Sequence, residues 1–407
     1  MGEPYLLADD LSGALEAGAA FRHRGWRVTL PLGKHTAAWM GGPDELQVIS
    51  TETRNASDGD AARSVRTVVE AQKAAGATLL FKKIDSTLRG PVSAELAALA
   101  EVLSPPVILF CPANPLVGRT VVDGKVRVNG VSLDQTDFRR DPIWPARTAE
   151  IRALLAKAEG LEFHALSLEQ LRTGPDAALE TLMRNRVGGR TRVVVVDAAG
   201  MNDLRILVDS AERASPEALL VGSGALCSVL SERHPGRLPR TEVTCQSVPS
   251  VLVLCGSRHP ASHGQLDHLA NLGKAVVLTM KVGEEMGEVV EQLVRALRSA
   301  RVVALRISGD LTAGDPAAAP VDSLARVALK LTTRHSIGAL YLTGGETAWG
   351  VCAALGGERL EILSELEPGV VVSRLTRGEA ASLTVVTKPG GFGDFAAMER
   401  HLSKLVK

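Results

Sequence analysis

Phe81–Gly90, FKKIDSTLRG, joins an apolar run to a helix, and its reading decides the fold class. The run that enters it, Ala77-Thr-Leu-Leu-Phe81, has the length and composition of a buried strand. Beyond it, Gly90-Pro91 opens an Ala/Leu/Glu-rich stretch with proline in the first helical turn. Strand, polar turn and helix make the βα unit of a parallel sheet, and in open α/β sheets ligands sit at the carboxyl ends of the strands. Here that end presents Lys82, Lys83, Asp85, Ser86, Thr87 and Arg89. Two ammonium groups and a guanidinium suit a carboxylate or phosphate, while Asp85 and the hydroxyls suit sugar-type hydroxyls. A merely charged turn with solvated lysines has the same composition, because turns are polar by default. Other stretches decide between the two.

Upstream, Tyr5–Ala8 is a short apolar run that ends in Asp9-Asp10, after which Leu11-Ser-Gly-Ala14 opens an Ala-rich helix to about Arg24. Two carboxylates at a strand's carboxyl end can hold substrate hydroxyls, coordinate Mg²⁺ or accept a proton. One of them also serves as the helix N-cap. Trp26–Leu32 and Leu46–Ser50 are the next strands, the second ending in Thr51-Glu-Thr-Arg54, followed by a helix over 61–75. Val107–Cys111 is a strand leading to Pro112-Ala-Asn-Pro115 and Gly118-Arg119-Thr120. VVDGKVRVNG, 121–130, predicts a hairpin turning at Asp123-Gly124, and 134–146 is a Pro-rich loop. Val193–Asp197 and Ala218–Val221 are further strands.

The 407 residues suffice for two domains with separate cores. With 45% apolar residues but only 3% aromatic, those cores are Ala, Val and Leu, as suits parallel α/β sheets. Lys+Arg and Asp+Glu both number 46, so no global basic field recruits nucleic acid. The five cysteines are scattered without a CxxC pair, as expected of reduced thiols in a cytoplasmic protein. No apolar run reaches membrane-spanning length and no signal peptide precedes the first strand, so neither membrane nor export is expected.

From 234 to 249, HPGRLPRTEVTCQSVP lacks apolar periodicity and marks the domain boundary. The expected division is 1–234, a linker at 235–249, and a second domain at 250–407. In that second domain Val251–Cys255, Ala275–Thr279, Val302–Ile307, Ala339–Thr343 and Leu383–Thr387 are strands. Three strand ends carry glycine: Gly256-Ser257, Thr343-Gly-Gly-Glu-Thr347 and Lys388-Pro-Gly-Gly-Phe-Gly-Asp394. Glycines let backbone amides approach phosphate oxygens, and the helix N-termini that follow favour negative charge. Neither a Walker P-loop nor a strand-linked GxGxxG is present. His259, His263 and His268 do not complete a zinc geometry, since 268 lies about 140° round the helix from 263.

In order along the chain stand ADDLSGA (8–14), TETR (51–54), KKIDSTLRG (82–90), CPANPLVGRTVVDG (111–124), GSGAL (222–226), GS (256–257), TGGET (343–347) and KPGGFG (388–393). The set resembles the four-carbon acid sugar kinase family, over nearly the whole chain. That resemblance implies an α/β fold of two domains, each a largely parallel sheet flanked by helices, with the active-site cleft between them. It implies that the N-terminal domain takes an acid sugar such as threonate, erythronate or 3-oxo-tetronate, and that the C-terminal domain takes ATP. It places Asp9, Asp10, Arg54, Lys82, Asp85, Ser86 and Arg89 on the sugar acid. It places Ser257, Gly344, Gly345, Glu346, Thr347 and Gly390 on the nucleotide. The chain departs from the family at Arg258-His259, where a small polar residue is usual, and at Pro389 and Gly391, where the family commonly has K-S-G-N-F-G.

The expected chemistry is in-line attack of a substrate hydroxyl on the γ-phosphate of ATP, dominated by positioning and charge stabilisation. Lys82, Lys83, Arg54 and Arg89 would clamp the carboxylate or the transferring phosphoryl, and Asp10 or Asp85 would accept the proton. Mg²⁺ would bridge the phosphates and keep several waters. Two rival readings use the same scaffold. One is an acid-sugar aldolase or dehydrogenase, with Lys82 or Lys83 open to a Schiff-base role; the other is a sensor that has lost catalysis. The metal ligands, the oligomeric state (a homodimer included) and the sugar's stereochemistry are left open.

Overall fold

The computed structural model describes residues 3–33, 42, 44–141, 143–184, 190–238, 247–281, 284–308, 318–376 and 380–406. Of the expected linker, residues 239–246 lie outside the described residues. The chain divides into two compact units, one of Met1–Trp26 with Thr36–Leu238 and one of Arg27–His35 with Pro239–Lys407.

In chain order the strands are β1 (Pro4–Ala8), β2 (Arg27–Pro31), which belongs with the second unit, β3 (Glu45–Ser50), β4 (Thr78–Lys83), β5 (Val107–Cys111), β6 (Arg119–Val122), β7 (Lys125–Val128), β8 (Val131–Ser132), β9 (Glu162–Leu166), β10 (Arg192–Val196) and β11 (Leu219–Gly222). The main sheet of the first unit has the order β3-β1-β4-β11-β5-β10-β9, and every pairing in it is parallel. β5 and β10 are buried at every position, because helices cover both faces of a parallel sheet. Helices α1 (Leu11–Arg22), α2 (Asp58–Ala74) and α3 (Val92–Leu103) follow β1, β3 and β4. Pro91 stands just before the first turn of α3 and not within it. In the sheet β1 is flanked by β3 on one side and β4 on the other, so the βα turns after β1 and β4 open at a switch point in strand order. The expected hairpin forms β6 and β7, with Asp123 (φ 54°) and Gly124 (φ 68°) both left-handed in its turn. The Asp197 carboxylate accepts from both turn amides at 2.9 Å.

The second unit adds β12 (Val251–Cys255), β13 (Val276–Lys281), β14 (Val302–Ser308), β15 (Ala339–Thr343), β16 (Arg359–Glu367), β17 (Val370–Thr376) and β18 (Thr384–Lys388). Its strand order is β13-β14-β12-β15-β18-β17-β16-β2. The first five strands run parallel, and β17, β16 and β2 extend the sheet antiparallel. β16 and β17 were not expected from the sequence. Val251, Val253, Tyr341, Val386 and Leu402 share the core, where the Tyr341 hydroxyl meets His401 Nδ1 at 2.7 Å. Because β12, β15 and β18 are neighbours, the three glycine-bearing strand ends lie side by side. Among the described residues no helix is long and apolar enough to cross a membrane.

Candidate active site

At the switch point of the first unit, Asp10 caps α1, its Oδ1 accepting from the Gly13 N–H at 2.8 Å. Asp9, the residue before it, is buried. Arg54 reaches both: Nε and Nη2 grip the two Asp9 oxygens at 2.9 Å each, and Nη1 donates to Asp10 Oδ2 at 2.7 Å. This bidentate fork suits a guanidinium and no other side chain. The two carboxyls are driven apart. Burial raises both, but Arg54, Lys82 and Lys83 together outweigh it at Asp9, which is held below the usual carboxylate range. At Asp10 burial, aided by the Asp9 charge, prevails over Arg54 and Lys83, and the carboxyl is pushed up.

The β4 turn supplies the facing groups. Lys82 is fully buried in an ion pair with Glu95 of α3 at 2.7 Å, with no side-chain surface open to a ligand. Lys83 pairs with Glu16 of α1 at 3.2 Å and donates to the Ile84 carbonyl at 3.1 Å. Burial lowers its proton affinity, but Glu16, Asp9 and Asp10 outweigh that and keep the amine charged. Asp85 accepts from Arg89 Nε at 2.8 Å and Nη2 at 3.2 Å, and from the Thr87 hydroxyl. Burial would raise this carboxyl; Arg89, Arg54 and Arg119 hold it well below the usual range. Ser86 accepts from Arg119 Nη1.

The expected residues Asp9, Asp10, Arg54, Asp85, Ser86 and Arg89 therefore meet in one polar cluster, with Lys82 behind it. The sequence reading missed the carboxylates that complete the cluster. Glu95 also accepts from the Thr53 hydroxyl, and it sits on α3, where nothing but folding brings it to Lys82. Glu52 had a signal, its place inside TETR. It stands at φ 50°, left-handed for a non-glycine residue, and accepts from the Ser50 hydroxyl. Burial pushes its carboxyl up to about 8.

In the second unit, Gly344 adopts φ 102°, open to glycine alone, as the chain turns from β15 into the helix Gly345–Ala354. Its N–H donates to the Lys388 carbonyl at 2.9 Å, tying the ends of β15 and β18 together. At Gly390 a Cβ would stand 2.0 Å from Ser257 Oγ, so a side chain there would fill a close approach between two strand ends. Thr347 is buried in the first turn of that helix beside Glu346, its hydroxyl facing Gly256. Carbonyls of the KPGGFGD stretch, 388–394, are held from the protein side. Lys388 Nζ donates to Pro389 O at 3.0 Å and Gly390 O at 3.3 Å, Ser262 Oγ to Gly390 O at 2.6 Å, and Gln265 Nε2 to Asp394 O at 2.8 Å. Burial pulls Lys388 down to about 8. Lys388 is a further residue the sequence reading left out of the site, although it opens the KPGGFG motif. A glycine-lined cradle beside a helix N-terminus, with a buried lysine, fits a polyphosphate.

The three histidines have protein partners. His259 Nδ1 accepts from Ala261 N–H at 3.2 Å, His263 Nε2 lies 3.0 Å from the Ser257 carbonyl, and His268 lies 3.3 Å from Glu399. Among the described residues no three His, Cys, Asp or Glu side chains gather as a metal cage.

Residues 5–230 match the family model of a sugar-binding N-terminal domain, and residues 252–398 that of a nucleotide-binding C-terminal domain. The chain is 31% identical to a D-threonate kinase of Bordetella bronchiseptica, across 97% of this chain and 96% of that one. It is 26% identical to a D-erythronate kinase of Heliobacterium modesticaldum, across 97% and 95%. A solved structure from Salmonella typhimurium LT2 shares the fold, with TM-score 0.81 and 22% identity over 100% of both chains. With a sugar-binding and a nucleotide-binding domain in that order along its length, the chain belongs to the four-carbon acid sugar kinase family.

Proposed function

We propose that this protein transfers the γ-phosphoryl group of ATP to a hydroxyl of a four-carbon acid sugar of the threonate, erythronate or 3-oxo-tetronate type, the substrates named for its relatives. The observation that carries the reading is the pair of adjacent carboxylates, Asp9 and Asp10, both gripped by Arg54 at the switch point of the first unit, with burial raising Asp10 and Arg54 lowering Asp9. Two adjacent acids pushed in opposite directions divide the labour of a site. Asp9, locked to Arg54, holds that guanidinium in place. Asp10 is partly open, with its side chain 16% exposed, and has the higher proton affinity. It accepts the proton of the attacking hydroxyl as the O–P bond forms.

Asp85 is a poorer base because Arg89, Arg54 and Arg119 stabilise its charge. Its role is to orient Arg89 and to accept from substrate hydroxyls, with Ser86 beside it. Ser257, Gly344, Gly345, Glu346, Thr347 and Gly390 form the nucleotide cradle, with Lys388 buried behind it and holding the Pro389 and Gly390 carbonyls. Mg²⁺, for which the described residues offer no cage, would be held through the nucleotide phosphates and waters and would neutralise charge on the transferring group. Lys82 and Lys83 are ion-paired within the protein, which favours the kinase over a Schiff-base enzyme, since amines held by carboxylates are not free to attack a carbonyl.

The test is ATP turnover, followed by ADP release, across D- and L-threonate, D- and L-erythronate and the 3-oxo-tetronates. Turnover dependent on one of these acids is expected. ADP release that no four-carbon acid stimulates would refute the kinase reading, and a lysine adduct trapped by borohydride with a keto acid would replace it.

A further inference from the structure

Five cations surround the ends of β1 and β4, and four of them face carboxylates of the chain itself. Arg54 grips Asp9 and Asp10, Lys82 pairs with Glu95, Lys83 with Glu16, and Arg89 with Asp85 and, at 3.7 Å, Asp141. Arg119 is the exception. Its one hydrogen-bonding partner among the described side chains is the hydroxyl of Ser86, through Nη1. Its Nε is buried without a partner. The guanidinium lies over the Phe138 ring, 5.5 Å from the centroid, and Arg89 stands 5.7 Å from the same centroid. Its backbone is fixed as well: Asn114 and Arg119 exchange N–H···O bonds at 2.8 and 3.0 Å, so the side chain leaves β6 from a rigid start.

An arginine half-removed from water, with no carboxylate at ion-pair distance among the described residues and only Asp85 and Glu16 acting on it from farther off, is an unfavourable arrangement that a ligand anion would relieve. The electrostatics agree: Arg54 and Arg89 are held above their ordinary value, whereas burial pulls Arg119 below it. With Nη1 on Ser86 and Nε buried, Nη2 is the donor left for a ligand carboxylate, next to the guanidinium charge. We infer that Arg119 anchors the carboxylate of the substrate and so makes the site specific for acid sugars over neutral ones. Phe138 is then a positioning residue, with Arg119 and Arg89 both held over its ring. The inference rests on the acid-sugar reading above.

The experiment compares wild type, Arg119→Met and Arg119→Lys on a turned-over four-carbon aldonate and on its aldonamide, which keeps every hydroxyl but carries no charge. Binding of both compounds is measured by calorimetry and turnover by ADP release, with melting midpoints on the same preparations. Arg119→Met is expected to lower kcat/KM and affinity for the aldonate by roughly 10²–10³-fold, and to change the aldonamide by less than about threefold. Arg119→Lys should fold even where Arg119→Met does not, and should recover only part of the aldonate preference, because an ammonium cannot keep the Ser86 bond and the Phe138 stacking while also facing the ligand. Equal losses on aldonate and aldonamide, or an Arg119→Lys variant with full preference for the acid, would overturn the inference while leaving the kinase intact. A wild type that binds no four-carbon acid would overturn the acid-sugar reading, and the inference with it.

Discussion

Lys82→Met removes one partner of a pair in which the two side chains are 0% and 1% exposed. Glu95 would keep the Thr53 hydroxyl but lose its counter-charge. Breaking a buried pair from one side costs about 3–5 kcal/mol, because the remaining charge stays desolvated. For a unit of this size each kcal/mol moves the melting midpoint by roughly 2–4 °C, so a fall of about 6–20 °C is expected. Removing both charges together, as Lys82→Met with Glu95→Leu, leaves no orphan and should restore most of that loss. The assay is thermal unfolding of the single and double variants, with kcat per folded molecule measured beside it. If Lys82 acts by holding the β4 turn, turnover recovers along with stability in the double variant. A double variant that melts like wild type but turns over at least 10²-fold more slowly would show that the Lys82 ammonium itself takes part in chemistry. An unchanged midpoint in Lys82→Met would refute the argument from burial.

Asp10→Asn keeps the α1 cap, since an amide oxygen still accepts from Gly13, and should lower kcat by about 10²–10⁴ with KM little changed. Because burial raises the Asp10 carboxyl, activity should fall with acid above the ordinary carboxylate range, and that limb should vanish in the variant. Asp85→Asn should instead raise KM for the acid sugar and lower the melting midpoint; a larger kcat loss there than in Asp10→Asn would reverse the assignment. Gly390→Ala places a Cβ 2.0 Å from Ser257 Oγ and should weaken nucleotide binding at least tenfold by calorimetry, with acid-sugar binding unchanged. Glu52 is raised to about 8, so the fold favours its neutral form, and the stability it contributes is present below its ordinary value of 4.5 and lost as pH rises through 8. Glu52→Gln should therefore flatten the fall in stability between about pH 4.5 and 8, and an unaltered pH profile of urea midpoints would contradict this.

The sequence by itself determined what chain-local chemistry can determine. Apolar runs of strand length, polar strand ends and helix starts located nearly every parallel strand and the residues at their carboxyl ends, because both signals lie within a few consecutive residues. Asp9-Asp10, KKIDSTLRG and the three glycine-bearing ends were legible for that reason. What the tertiary structure decided was pairing. β2 lies in the N-terminal half of the sequence yet pairs antiparallel with β16 in the second unit, Arg359 facing Pro31, so the split at 1–234 and 250–407 does not describe that strand. β16, RLEILSELE, alternates polar and apolar residues and takes its place only through such partners. The roles of the charges were decided in the same way. Five cations look alike in sequence, but Glu95, Glu16, Asp85 and the Asp9–Asp10 pair, delivered by different helices and strand ends, form ion pairs with four of them and leave Arg119 over Phe138, hydrogen-bonded among the described side chains to the Ser86 hydroxyl. Charge complementarity acts over a few ångströms in space, and those ångströms are set by sheet order and helix packing, which no local pattern encodes.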